Sequence, residues 1–335
     1  MYSYSPDLKL YVVNENITYE LASLCEGNIT LTTSRKGSPS NLSFKILRNA
    51  IPEGLRFFEG DIVSLVVNNN NIFKGRIFSK SRTKDQIITV TAYDQIRYLQ
   101  NKKTYEYTNK KAGEVIKMIA DDFKLTTGTL EDTGYVIAKR REEDETLLDI
   151  ALNAIDITAI NTSKLYVLYD DFGELTLKNI DNMFVPLCIS DDGTITDFTY
   201  KTDIDTDTYN TVKLYRDNED TKKRDVYIAK DSATQEMWGI LQYYENLPEI
   251  YNSAQAANIA ERILKQKNRI HKTLSVNCIG TGQGEEKIRG GSVIVVDIND
   301  VGENSIFNKC VVESCTHTFS NSQHTIKLNI NEWNG

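Results

Sequence analysis

Residues 60–66 read Gly60-Asp61-Ile62-Val63-Ser64-Leu65-Val66, and residues 290–296 read Gly290-Gly291-Ser292-Val293-Ile294-Val295-Val296. Each is a glycine turn feeding a short apolar run rich in β-branched residues, which is the signature of a strand. The neighbours of the two runs match in the same order. Leu42-Ser43-Phe44 lies over Leu274-Ser275-Val276, Asn71-Ile72-Phe73-Lys74 over Ser305-Ile306-Phe307-Asn308, and the alternation Ile88, Val90, Ala92 over Ile326, Leu328, Ile330. Four blocks at a nearly constant offset predict an internal duplication of one β-module. Chance likeness among Val-rich strands is the alternative.

Outward from these blocks, the first ninety residues alternate apolar and polar positions between Gly, Asn and Ser turns, which predicts a small barrel or sandwich. From Tyr93 the period changes. Val115, Ile116, Ile119 and Phe123 fall on one helical face, and the run at 145–160 predicts a second helix. Residues 165–180 predict two strands around a turn at Asp171-Phe172-Gly173. Strands resume near 196. They are interrupted by a helical insertion ending in Ala256, Ile259, Ile263 and Leu264 on one face, and the last sixty residues return to strand and turn. The fold expected is mixed α+β and mainly β: a first small β-barrel or sandwich over 1–93, an α+β appendage over 94–195, and a second such β-module over 196–335 with the insertion at about 233–270. The strands that would build the barrels and a ring interface carry Ile62, Val63, Leu65, Ile72, Phe73, Ile88, Val90, Val293, Val295, Ile306, Phe307, Ile326 and Leu328.

With 335 residues the chain has room for two or three self-sufficient cores. Its net charge of −8 argues against non-specific attraction to nucleic acid or anionic membrane. No apolar run reaches the roughly 18–20 residues of a membrane span, and the start lacks a signal-peptide pattern, so folding in a bacterial cytoplasm is expected. Five scattered cysteines, Cys25, Cys188, Cys278, Cys310 and Cys315, predict reduced structural thiols. Residues 170–207 hold ten carboxylates and two lysines, an acidic patch as negative as the whole chain.

Chemistry-bearing motifs are weak. Gly280, Gly282 and Gly284 link two predicted strands, so a hairpin loop is expected there and not a phosphate cradle. Asp203, Asp205 and Asp207 lack the glycine and bidentate Glu of a calcium loop. Cys310, Cys315, His317 and His324 fit no zinc spacing, Cys310 and Cys315 having opposite strand parity. A hairpin turning near Asn321 accounts for them. Glu142-Glu143-Asp144-Glu145 precedes an apolar helix and is expected to complement its dipole. The basic face with Arg262, Lys265, Lys267, Arg269 and Lys272 is expected to be solvated or to face an acidic partner. No catalytic residue, cofactor or metal is expected.

Longer strings make the order of blocks specific: SRKGSPSNLSFKI at 34–46, FFEGDIVSLV at 57–66, TAYDQIRYLQNKKTYEY at 91–107, YVLYDDFGELTLKNI at 166–180, DTYNTVKLY at 207–215, WGILQYYE at 238–245 and THTFSNSQHTIKLNI at 316–330. As a set they resemble the XkdQ-like family of contractile-tail hub proteins, related to phage late control D proteins and to the spike-carrying hubs of type VI secretion. The resemblance implies a non-enzymatic structural protein of the baseplate, in a phage or a headless bacteriocin. It implies two tube-like β-barrels per chain, over 1–93 and 196–335, and a homotrimer that presents the six β-modules to the hexameric tail tube and three-fold symmetry to the spike. Its partners would be the tube protein, the spike, other baseplate proteins and the tape measure. A tail-associated peptidoglycan hydrolase and a carbohydrate-binding β-protein are the competing readings.

Overall fold

The computed structural model describes residues 4–218, 222–247, 253–300, 305–320 and 322–332. Seven strands come first: β1 (Leu8–Asn14), β2 (Ile17–Glu20), β3 (Ile29–Ser34), β4 (Asn41–Leu47), β5 (Ile62–Val67), β6 (Asn70–Arg82) and β7 (Ile87–Tyr93). Then follow β8 (Lys102–Lys110), α1 (Ala112–Asp122), β9 (Thr127–Leu130), β10 (Ile137–Thr146), α2 (Leu147–Thr162), β11 (Tyr166–Asp170) and β12 (Leu175–Asn179). The chain continues through β13 (Phe184–Ser190), β14 (Ile195–Asp203), β15 (Thr211–Asn218), β16 (Lys223–Lys230), α3 (Ser232–Trp238), β17 (Gln242–Asn246) and α4 (Ser253–Lys267). It closes with β18 (His271–Ile279), β19 (Val293–Ile298), β20 (Ile306–Phe319) and β21 (His324–Glu332). The fold is mainly β.

The chain divides into two units, one of Met1–Ala159, Lys164–Thr199 and Leu274–Gly335, the other of Ile160–Ser163 and Tyr200–Thr273. In the smaller unit, β15 pairs β16 antiparallel and β17 parallel. Val212, Leu214 and Ala229 from these strands pack on Ala256, Ala260, Ile263 and Leu264 of α4, as the helical spacing predicts.

In the larger unit one sheet runs β14-β18-β21-β20-β3-β4-β7-β6-β5-β1-β2, with β19 leaving β20 to pair β13. The sheet ends on β14 and β2. The closed barrels expected from the sequence therefore do not form: among the described residues neither half of the sheet closes on itself.

The first half runs β3-β4-β7-β6-β5-β1 from the middle of the sheet, and the second runs β14-β18-β21-β20-β19-β13 from its far edge. In that order β4, β5, β6 and β7 stand along the first half as β18, β19, β20 and β21 stand along the second. The halves also share fine detail. Gly60 (φ 95°) donates its N–H to Ile77 O at 2.8 Å, and Gly291 (φ 94°) donates to Val312 O at 2.7 Å. Ile77 N–H returns to Asp61 O, and Val312 N–H to Ser292 O. Both long strands then shift register at the next residue, β6 between Ile77 and Ser79 and β20 between Val312 and Ser314. One difference stands out: β1 pairs β5 antiparallel, whereas β13 pairs β19 parallel.

These details correct the sequence overlay by one residue. Gly60 corresponds to Gly291, not Gly290, so the fully buried Val63, Leu65 and Val67 correspond to Ile294, Val296 and Ile298, also fully buried. A one-residue slip would turn every side chain to the other face. Each buried aliphatic in these rows contributes roughly 2 kcal/mol by leaving water. The Ile-Phe match was coincidental: Phe73 is buried, while Phe307 is 72% exposed.

Between the halves, α1 and α2 pack with β8–β12 around a core of Val115, Ile116, Ile119, Ile150, Ala154 and Leu177. Both expected helices form, and Phe172 (φ 51°) and Gly173 (φ 93°) make the expected turn. The acidic run does not cap α2. Glu142–Glu145 lies on β10, where Glu142 is buried against Arg140 Nε at 2.8 Å. Thr146 caps instead, its hydroxyl oxygen accepting from Asp149 N–H at 3.0 Å.

The Gly280–Gly284 loop is likewise not a hairpin, because β18 and β19 are not neighbours. It wraps the buried Glu285 carboxylate, which accepts N–H bonds from Thr281, Gly282 and Gln283 at 3.0, 3.1 and 2.9 Å. Against the burial that would raise it, the Thr281 hydroxyl and the N–H groups of this loop hold the Glu285 carboxyl below its usual pKa.

Candidate functional site

The two halves meet where β20 pairs β3 antiparallel, from Ser314 opposite Ser34 to Phe319 opposite Ile29. Leu31 and Phe319 bury the joint from one face, and the Thr32 and Thr316 hydroxyls meet at 3.1 Å on the other. At its end Arg35 N–H donates to Glu313 O (2.8 Å) while Arg35 Nε contacts the Glu313 carboxylate (2.8 Å). Gly290 completes the seam: its N–H donates to Thr33 Oγ1 at 2.9 Å, with Ser34 close against its Cα. Glu286 adds one more tie by accepting from Asn70 Nδ2 at 2.7 Å.

Beside this seam lies a charged cluster that no sequence motif announced. Asp94, directly after β7, accepts the N–H groups of Ser40 and Ile96, each at 3.0 Å. Asp170, at the end of β11, accepts from Gly173 N–H (2.6 Å) and Gln95 Nε2 (3.2 Å). Arg289 donates to the Asp170 carbonyl at 2.9 Å and lies over the Tyr169 ring, 4.0 Å from its centroid. Burial, then the neighbouring carboxylate, raises the Asp94 carboxyl above its usual pKa, and burial raises Asp170 likewise. Three segments of the larger unit meet at one cation. We expect Arg289→Met to lower stability by about 3 kcal/mol. The loss should be larger at pH 8 than at pH 6. A carboxyl whose folded pKa is raised contributes stability that is lost as pH rises, and removing the guanidinium raises it further. Urea unfolding at both pH values checks this, and equal losses would contradict it.

The histidines sit in the β20–β21 hairpin. His317 Nε2 is 2.6 Å from Ile288 O and so carries the proton, which leaves Nδ1 to accept from His324 Nε2 at 2.9 Å. The register shift at Val312/Ser314 resets the alternation, so Cys310 and Cys315 are both buried, against their expected opposite parity. Among the described residues no three His, Cys, Asp or Glu side chains are grouped to hold a metal. Burial pushes His317 down to about 4, and burial with the His317 neighbour pushes His324 down to about 3. Both rings are neutral in the fold while the unfolded chain takes up protons below about pH 6.5, so stability falls on acidification through this window. Between pH 6.5 and 5 His317 alone should cost about 2 kcal/mol. The slope of stability against pH should be shallower in the His317→Leu/His324→Phe double variant, and an unchanged slope would refute the assignment.

Of the residues singled out in the sequence, Val63, Leu65, Phe73, Val90, Val293, Ile326 and Leu328 are buried in the sheet, and Ile62, Ile72, Ile88, Val295 and Ile306 are half-buried. Phe307 alone among them is well exposed. The structure thus gives most of them to the core, and places the seam on Ser34, Arg35, Gly290, Glu313 and Ser314, none of which the sequence offered as an interface residue.

Comparison with known proteins places this arrangement. The YQBQ-like family matches residues 29–331. The uncharacterized protein YqbQ of Bacillus subtilis is 30% identical over 98% of this chain and 97% of its own. The phage-like element PBSX protein XkdQ of the same organism is 27% identical over 98% of each. Among solved structures, the 43 kDa tail protein of prophage MuSo2 from Shewanella oneidensis has the same fold, with a TM-score of 0.72 and 11% identity over 97% of this chain and 98% of that one.

Proposed function

The chain belongs to the YQBQ-like family, and from that membership we propose that it is the structural hub of a contractile phage tail or tail-like particle. In this reading it is a non-enzymatic homotrimer, and its two β-modules per chain make a ring of six that joins the hexameric tail tube to the trimeric spike. The carrying observation is the repetition inside the sheet. The halves share strand order, a left-handed glycine with the same pair of hydrogen bonds, and a register shift at the same position of the long strand. Those features support a duplicated module of the tube-forming kind, with residues 94–195 as an appendage to it.

Symmetry gives the repetition its use. A six-fold tube and a three-fold spike match through a ring whose subunits each offer two equivalent modules. The open sheet suits this role, since a strand edge left bare in one chain is a pairing site for another. Its other partners would be baseplate proteins and the tape measure, and its place the particle's baseplate after synthesis in the bacterial cytoplasm. Imaging the purified chain bound to tube and spike proteins tests the reading. A ring of three chains with six lobes is expected; a complex with one chain per tube subunit would refute it.

A further inference from the structure

The smaller unit has a sheet whose sequence suits two covered faces, and the fold covers one. β16 carries Val226, Tyr227, Ile228 and Ala229 in succession, an unbroken apolar run of the kind found in strands buried on both sides. Tyr227 and Ala229 turn to α4 with Val212, Leu214 and Tyr243. Val226 and Ile228 stand on the other side, 44% and 60% exposed, with Tyr244 at 49%. Register gathers them into a block: Ile228, Lys213 and Tyr244 form one row across the three strands, and Val226, Tyr215 and Asn246 form the next.

We propose that this face docks an acidic, apolar segment of a partner protein. The charges select the partner. Asp217, in the row beyond Tyr215, is held by Arg224 through both of its oxygens, at 2.8 and 3.1 Å. Lys213 in the middle of the block and Lys230 at its rim, opposite Thr211, have no carboxylate partner among the described residues. Lys213 does lie over the Tyr244 ring, 5.7 Å from its centroid, and a cation over a ring keeps its charge. In a chain of net charge −8, this block therefore carries two unneutralised cations beside bare aliphatic surface. An occupant has to bring carboxylates to the lysines and apolar side chains to Val226 and Ile228.

The tyrosines set aside bases and sugars, which bind aromatic residues by lying flat on a ring. Tyr215 and Tyr244 stack on each other with centroids 4.8 Å apart, the spacing of neighbouring strands, so the rings stand on edge. Arg224 covers the other face of Tyr215, 4.2 Å from its centroid. What points outward is ring edge and aliphatic side chain, ordered in advance by the stacking, which lowers the entropy cost of holding a peptide.

Docking at this face is independent of the ring, and its test uses the full chain with a dye-labelled random glutamate–tyrosine copolymer as the acidic, apolar probe. Fluorescence anisotropy should show the copolymer bound and polyglutamate, which has the charge without the apolar groups, bound about tenfold more weakly. Val226→Thr with Ile228→Thr keeps β-branched residues at exposed strand positions, and Lys213→Glu reverses the central charge. Each variant should weaken the copolymer by about tenfold and leave the thermal transition within a few degrees of the parent. Ile17→Thr, at an exposed isoleucine of β2, should change neither. Copolymer binding that both variants retain, no copolymer binding to the parent, or tighter binding of oligothymidylate or a chitin oligosaccharide than of the copolymer would overturn the proposal.

Discussion

Proline at Val295 is expected to leave no folded second half. Val295 sits midway along β19, opposite Lys309 of β20 on one side and Cys188 of β13 on the other, so its N–H lies in a ladder whichever way it points. Proline removes that donor and sets its ring against a neighbouring strand, at about 3 kcal/mol or more. Its neighbours Ile294 and Val296 are fully buried and have no other core to join. Circular dichroism of Val295→Pro should show lost strand content and a broad, low transition, while Arg82→Pro, on an uncovered edge, serves as the tolerated comparison. A Val295→Pro chain that melts like the parent would show that β19 is not integral to the sheet.

Alanine at Gly290 should be nearly as damaging, for a steric reason. A Cβ there would stand 2.3 Å from the carbonyl carbon of Ser34 and 2.5 Å from the nitrogen of Arg35. Both obstacles are backbone, so no rotamer relieves them. Either the Thr33–Arg35 end of β3 lifts off β20 or the 288–292 segment shifts, and the Gly290 to Thr33 bond is lost in both cases. Overpacking of this kind costs about 3 kcal/mol, a fall of roughly 6–12 °C in Tm for a unit of this size. Gly60→Ala is the informative contrast. A Cβ at Gly60 meets nothing within 4 Å, so only its φ of 95° is strained, and about 1 kcal/mol is expected. Thermal melts of the two variants side by side decide it, and equal losses would show that the seam is not the tight point of the sheet.

How much of this was legible beforehand depends on how local each signal is. Apart from β13, the strands of both halves, the helices α1, α2 and α4, and the turn at Asp171–Gly173 follow from short-range periodicity, and all of them form. The overlay of the halves failed by one residue because Gly290 to Ile294 are buried in succession, which hides the two-residue alternation that would have fixed the register. The acidic run at Glu142–Glu145 misled for a related reason: a carboxylate cluster before a helix looks the same whether it caps the helix or extends a strand toward it. The seam itself left no trace at all. Ser34 and Ser314 are unremarkable polar residues separated by most of the chain, and only the folded sheet makes them opposite. The same holds for Asp94, Asp170 and Arg289, whose meeting depends on three distant segments.

The overlay's failure and the seam's silence bear on function too. The sequence offered these apolar strand residues for barrel strands and a ring interface together, and Val63, Leu65, Val90 and Leu328 are buried in the core of a single chain. Bare strand edges remain, together with exposed apolar side chains such as Phe58, Phe184 and Phe307. Edges of this kind associate with directional hydrogen bonds and a defined register, which suits a ring that must close after a fixed number of copies.

The central claim is that three copies of a chain with two equivalent modules close into one ring. Light scattering on the purified full-length chain, across a hundredfold range of concentration, measures it most directly. The account predicts a particle of three times 38.1 kDa that persists on dilution. A particle of two chains, or a single chain at every concentration, would contradict it.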